Sequence, residues 1–182
     1  NLKYKNGNFL SSLTYEIEKN QPSVFSFDIL LDYNFSSQFQ SVFTYSRNYK
    51  KPNLNDLFWE PFGDSNLKTE YSNNFYLKNN FISNLGKLNV DFHFIDFDQL
   101  INWRPMVGTS AYWIPQNISS AQSYGADISI SSYLISDYKL SSSYSFNISQ
   151  NYNLSLSKHH QGKSLLYTPI HSATFQLEKQ FA

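Results

Sequence analysis

Few residues in this 182-residue chain have the types and spacing that chemistry needs. Gly162-Lys163-Ser164 has the ending of a phosphate-binding loop, but Ser157 stands where the first glycine of such a loop must lie, so that reading is rejected. His159-His160 is an adjacent pair that could ligate a metal or haem, although adjacent histidines are more often solvated loop residues. There is no cysteine, which excludes disulfide scaffolds, thiolate zinc sites and cysteine nucleophiles. Gly-x-Ser-x-Gly and His-Glu-x-x-His are both missing. No set of nucleophile, base and orienting group can be assembled, so the expectation is a non-enzyme with no catalytic residue, cofactor or metal site. Recognition is the better candidate. Trp103, Arg104, Trp113, Gln116 and Asn117 place aromatic faces beside polar groups, which suits a large amphipathic ligand. Asn55, Asp56, Trp59, His159 and His160 complete the ligand-side set. For all of them the alternative is loop or girdle packing, with the Asn and Asp side chains holding turns.

The elements that must position these residues are strands. Aromatics make up 18% of the chain and charged residues only 15%, against roughly 25% for an ordinary soluble domain. The formal net charge is zero, which argues against a nucleic-acid partner. Mean hydropathy is −0.46, and no apolar run approaches the roughly 18 residues of a membrane helix. The hydrophobic period is two. Phe25, Phe27, Ile29, Leu31 and Tyr33 alternate with a mostly polar set, as do Leu88, Val90, Phe92 and Phe94, and Tyr138, Leu140, Tyr144, Phe146 and Ile148. Weaker alternation covers Asn8–Lys19, Gln38–Asn48, Thr69–Asn80, Ile118–Leu134 and Ile170–Phe181. A short helical turn fits Leu54–Phe58.

The connections alternate in length. Phe35–Ser37, Phe81–Lys87 and Ile135–Asp137 are short, while Tyr49–Lys68, Gln99–Asn117 and Gln150–Pro169 are long. That is the wiring of an up-and-down transmembrane β-barrel, with tight periplasmic turns and large outer loops. A lipid-facing wall needs Phe, Leu, Ile and Val on one face and every backbone bond closed laterally. Tyr33, Tyr45 and Tyr138 suit aromatic girdles. The polar face, with Asp28, Asp32, Asp91, His93 and Lys139, suits a wet lumen. A soluble sandwich has strands of the same alternation and stays open as an alternative.

Three stretches resemble one family. Ser46-Arg47-Asn48-Tyr49-Lys50-Lys51-Pro52-Asn53-Leu54-Asn55-Asp56-Leu57-Phe58-Trp59, followed by Gly63-Asp64-Ser65-Asn66-Leu67-Lys68-Thr69-Glu70, is similar to a strand, loop and strand of TonB-dependent outer-membrane receptors. Asp64 stands where that family usually has Asn, and Thr69 where it has Pro. Ile101-Asn102-Trp103-Arg104-Pro105, Tyr112-Trp113-Ile114-Pro115-Gln116-Asn117-Ile118 and Tyr124-Gly125-Ala126-Asp127 resemble a second shared stretch, with Asp127 replacing a Glu. Tyr167-Thr168-Pro169 with His171 resembles the entry to a later strand. The resemblance is nearest the cobalamin-receptor type. It implies an all-β, antiparallel wall of about eight strands out of a barrel of about 22 with a plugged lumen.

The resemblance also implies location in the bacterial outer membrane and contact with its lipid. Import of a bulky scarce nutrient (a cobalamin, siderophore or other metal chelate) would be driven through TonB by way of a plug and TonB box. The whole chain, 1–182, then reads as part of the barrel domain, a fragment without the plug or the later strands. The alternatives are a soluble or surface β-sandwich that binds glycans, and a small closed barrel acting as an adhesin or anchor.

Overall fold

A computed structural model describes residues 2–4, 6–17, 23–106, 108, 112–135, 138–151, 163–164 and 169–179. Ten strands and one short helix occur in the order β1 (Leu2–Tyr4), β2 (Gly7–Glu16), β3 (Val24–Asn34), β4 (Phe39–Lys50), α1 (Leu54–Phe58), β5 (Glu70–Ser83), β6 (Gly86–Pro105), β7 (Trp113–Ile135), β8 (Tyr138–Asn151), β9 (Lys163–Ser164) and β10 (His171–Lys179). They form one sheet in the order β1-β2-β3-β4-β5-β6-β7-β8-β10, with β9 also on β8. Every neighbouring pair is antiparallel. Among the described residues the edge strands β1 and β10 do not pair, so the sheet is an open wall.

The register sorts the residues by face. Ile29, Tyr45, Phe75, Phe94 and Tyr124 form one cross-strand row, and Leu31, Phe43, Leu77, Phe92 and Ala126 the next. Phe39, Phe81, Leu88 and Ile130 form a third, near the short turns. Aromatic contacts tie these rows together: Phe39 stacks on Phe81 at 4.4 Å and Tyr45 on Phe75 at 4.6 Å. Among the described residues no second layer covers this face. Phe43, Phe75, Leu77, Phe92 and Phe94 are each more than a third exposed, and among the described residues only Val24, Ile101, Ile118 and Ala121 are buried hydrophobics. A sandwich would bury this face against a partner sheet about 10 Å away, so the bare face fits a lipid-facing wall. The polar intruders on it are internally satisfied. Ser41 Oγ donates to Asn79 Oδ1 at 2.9 Å, and Asn79 Nδ2 donates to the Val90 carbonyl at 3.1 Å.

The opposite face is hydrated in character and laced by side chains. Gln40 Nε2 donates to Asp32 Oδ1 at 2.8 Å, Asn80 Nδ2 to Gln40 Oε1 at 3.2 Å, and Asn89 Nδ2 to Ser129 Oγ at 2.9 Å. Ser12 donates to Asp28. His93 finds its acidic neighbour across the ladder, with Nδ1 4.0 Å from Asp127 Oδ2, and not in Asp91, two residues before it on the same face.

The short connections lie where the period places them. The turn between β5 and β6 is two residues, Asn84 and Leu85. Gly86 has φ +149°, and a Cβ there would meet the Ser131 carbonyl at 2.1 Å. One connection differs from expectation. Gln99–Asn117 is mostly strand, because the β6–β7 ladder continues from Leu100↔Ile118 to Pro105↔Trp113. β5 pairs with β6 no further than Asp98, and β8 pairs with β7 no further than Ala121. Beyond that point, among the described residues, β6 and β7 each have a ladder partner on one side only, and such edge strands tolerate proline. The pair projects past the sheet as a two-stranded hairpin with no further strand beside it among the described residues.

The bare face carries a depth-dependent cost for charge. Phe92→Arg, in the middle of the belt, is expected to lower the unfolding free energy of the intact protein in lipid by about 2–4 kcal/mol, while Asp98→Arg, beyond the outer end of the belt, costs about 0–1 kcal/mol. Equilibrium denaturation of the two variants in the same vesicles reads this difference.

Candidate ligand-side rim of the barrel wall

The long β4–β5 connection folds back on the projecting hairpin through one carboxylate. Pro52 cannot extend the ladder, and Asn53 then caps α1. Asp56 N–H donates to Asn53 Oδ1 and Asn53 N–H donates to Asp56 Oδ2, both at 2.9 Å, a reciprocal capping box. The other oxygen, Asp56 Oδ1, accepts from Trp103 Nε1 at 2.9 Å. Asp56 is only 3% exposed, so both lone-pair sets are used where water is excluded. The indole of Trp103 also lies against Trp59, ring centroids 5.6 Å apart, and Phe62 stacks on Tyr112 at 4.9 Å.

Two further clamps work from below. Asn117 Oδ1 accepts from Lys68 N–H at 2.8 Å, while Asn117 Nδ2 donates to the Lys68 carbonyl at 3.1 Å and the Gln99 carbonyl at 2.8 Å. Gln99 holds φ +57°, the left-handed region, at the point where the hairpin leaves the wall. Glu70, at the start of β5, accepts from the Ile101 N–H at 2.9 Å and is 8% exposed. The loop closes on itself through Asp64 N–H to the Asp56 carbonyl at 2.9 Å and Asp64 Oδ1 accepting from Asn66 N–H at 2.8 Å. An Asp makes this Asx turn as an Asn would, which accounts for the Asn-to-Asp departure at 64. Gly63 passes so close to the end of α1 that a Cβ would meet Phe58 N and Trp59 N at 2.7 Å.

The sequence-derived candidates therefore divide. Asp56 and Trp103 are joined as a latch between loop and hairpin, and Asn117 forms a separate clamp on Lys68 and Gln99. Trp59 packs on that latch with one side and stays 57% exposed. Asn55 is exposed, and its carbonyl accepts from Trp59 N–H at 3.3 Å. Arg104, Trp113 and Gln116 lie along the hairpin, opposite Ile114, Pro105 and Asn102. Burial pushes the Arg104 guanidinium below its ordinary value. His159 and His160 lie outside the described residues, and among the described residues no cluster of His, Asp or Glu could hold a metal. Leu54, Asn55, Phe58, Trp59 and Glu60 line an open groove on α1. Leu54 and Phe58, 76% and 63% exposed, were not singled out from sequence, because an apolar pair on one short turn reads equally well as packing. Glu70 was likewise missed as a clamp, since its partner is a backbone N–H that leaves no mark in the sequence.

The family described as TonB dependent receptor-like, beta-barrel matches residues 1–180. The chain belongs to this family. Members of such barrels reside in the outer membrane of Gram-negative bacteria, and the receptor's bare apolar face is accordingly its lipid face. The chain is 31% identical over 98 residues, 53% of its length, to the vitamin B12 transporter BtuB of Photobacterium profundum, and covers 16% of that relative. Among solved structures, the copper transporter OprC superposes with a TM-score of 0.77 at 11% identity, over 98% of this chain and 31% of that one. The siderophore receptor PirA from Acinetobacter baumannii does so with 0.75 at 13% identity, over 98% and 30%. The structural matches show the fold.

Removing the indole N–H leaves Asp56 Oδ1 buried and unpaired, a cost of about 1–3 kcal/mol. Trp103→Phe in the full-length receptor is therefore expected to loosen the 51–69 loop. Trypsin cleavage after Lys68 rises several-fold while the wall stays folded; unchanged cleavage removes the latch as a determinant of loop order.

Proposed function

We propose that this chain supplies part of the barrel wall and outer rim of a receptor that captures a bulky, scarce nutrient and imports it with energy delivered through TonB. A cobalamin is the first choice of cargo, with a siderophore or other metal chelate next. The supporting observation is the 31% identity over 98 residues, about half of the chain, to a vitamin B12 transporter. The rim suits such a cargo. It offers an exposed apolar groove beside polar loop groups, on a loop fixed in advance by buried hydrogen bonds. Ordering that loop before binding lowers the entropy that a ligand must overcome. Import needs binding and release rather than covalent chemistry, in keeping with the non-enzymatic reading. The glycan-binding sandwich loses its footing with the uncovered apolar face.

The test uses the full-length receptor in outer membranes, with radiolabelled cyanocobalamin and a ferric siderophore as separate probes. Saturable cyanocobalamin binding, and uptake that stops when the proton gradient is collapsed, is the expected result. Uptake of the ferric siderophore alone moves the cargo to metal chelates, and uptake of neither overturns the transporter reading.

A further inference from the structure

The lipid face ends abruptly at its outer side. Next to the row Ile29, Tyr45, Phe75, Phe94 and Tyr124 lies the row Phe27, Arg47, Asn73, Asp96 and Gln122. Arg47 shares the face of Tyr45 and Phe75, because strand residues two apart point the same way. From Phe39, beside the short turns, to Arg47 the chain advances by 8 residues, or about 26 Å along the strand. A tilt of about 40° reduces that to about 20 Å in height, close to the roughly 25 Å of an apolar belt. Arg47 thus sits at the level of the outer headgroups.

Its surroundings are those of an anion site. The guanidinium carbon lies 5.1 Å from the Tyr71 ring centroid, and Nη1 donates to Asn73 Oδ1 at 3.5 Å. Tyr45 OH donates to the same oxygen at 3.4 Å, which aims the Asn73 amide. Among the described residues no carboxylate pairs with Arg47, and the Asn73 NH2 has no acceptor. The acid in the row, Asp96, is two strands away and accepts from Gln122 Nε2 at 3.1 Å. We propose that Arg47 and Asn73 bind a phosphate of an outer-leaflet glycolipid. The guanidinium fork matches phosphate oxygens, a charged hydrogen bond is worth more at the dry edge of a bilayer than in water, and the tyrosine ring holds the fork in place.

The test is lipid retention by the full-length receptor in detergent, read by native mass spectrometry. Diphosphorylated lipid A, the same lipid without phosphates, and inorganic phosphate are the probes. The wild type is expected to retain diphosphorylated lipid A and to discriminate against the dephosphorylated form. Arg47→Gln is expected to lose that retention roughly tenfold, with Asn73→Ala losing less. Equal retention of the two lipids by the wild type overturns the site without recourse to any variant, as does unchanged retention by Arg47→Gln. Full displacement by equimolar inorganic phosphate overturns the lipid assignment in favour of a free-anion site. Cobalamin binding is not an arm of this experiment, so the cargo and the lipid site stand or fall separately.

Discussion

In hydrocarbon no water is available to satisfy a backbone N–H or C=O, and this decides the shape of the wall. Each strand must be bonded on both sides by its neighbours. The long unbroken registers, from Phe39↔Phe81 to Lys50↔Glu70 and from Gly86↔Ser132 onward, meet that condition. Once the ladder is fixed, side-chain parity follows, and with it the bare face of Phe43, Leu77 and Phe92 and the wet face of Gln40, Asn80 and Asn89. The same constraint reaches single side chains: Ser41 and Asn79 are tolerated on the lipid face because they bond to each other and to the Val90 carbonyl.

Where the hydrocarbon ends, the rule relaxes and the chain does other things. β6 and β7 leave the sheet as a two-stranded hairpin, and backbone groups of the β4–β5 loop are met by side chains. Asp56 is central there. A buried carboxylate with one oxygen on the cap of α1 and the other on Trp103 fixes the position of a whole loop relative to a hairpin. Asn117 and Glu70 repeat the device with backbone partners. The residues that a motif search marks as ligand-side are therefore partly the scaffold that holds other residues at the mouth.

Much of this could be read from the sequence for a physical reason. A strand with one face in lipid and one in water writes its period of two into composition, so the strand from Phe25 to Asn34 and the short turns were legible. The α1 turn was legible too, through Pro52 and Asn53. The hairpin was not. Pro105 and Pro115 usually end strands, and nothing local shows that the neighbouring strands stop first. β1 and β9, three and two residues long, are too short to carry a period. At the rim, residue types revealed that Trp103, Asn117 and Asp56 mattered but not that Trp103 meets Asp56, 47 residues away, or that Asn117 clamps Lys68, 49 residues away. Arg47 was legible as part of a family stretch, and its place on the lipid face became visible only from the register.

The most direct measurement of the central claim is oxygen accessibility along β4. The chain has no cysteine, so single Cys substitutions from 39 to 47 can carry nitroxide labels without background. In the full-length receptor reconstituted into bilayers, labels at 39, 41, 43 and 45 should show high oxygen and low aqueous-relaxant accessibility. Those at 40, 42, 44 and 46 should not, and 47 should open to the aqueous reagent. Loss of this alternation, or aqueous access at both 43 and 45, would contradict a lipid-facing wall.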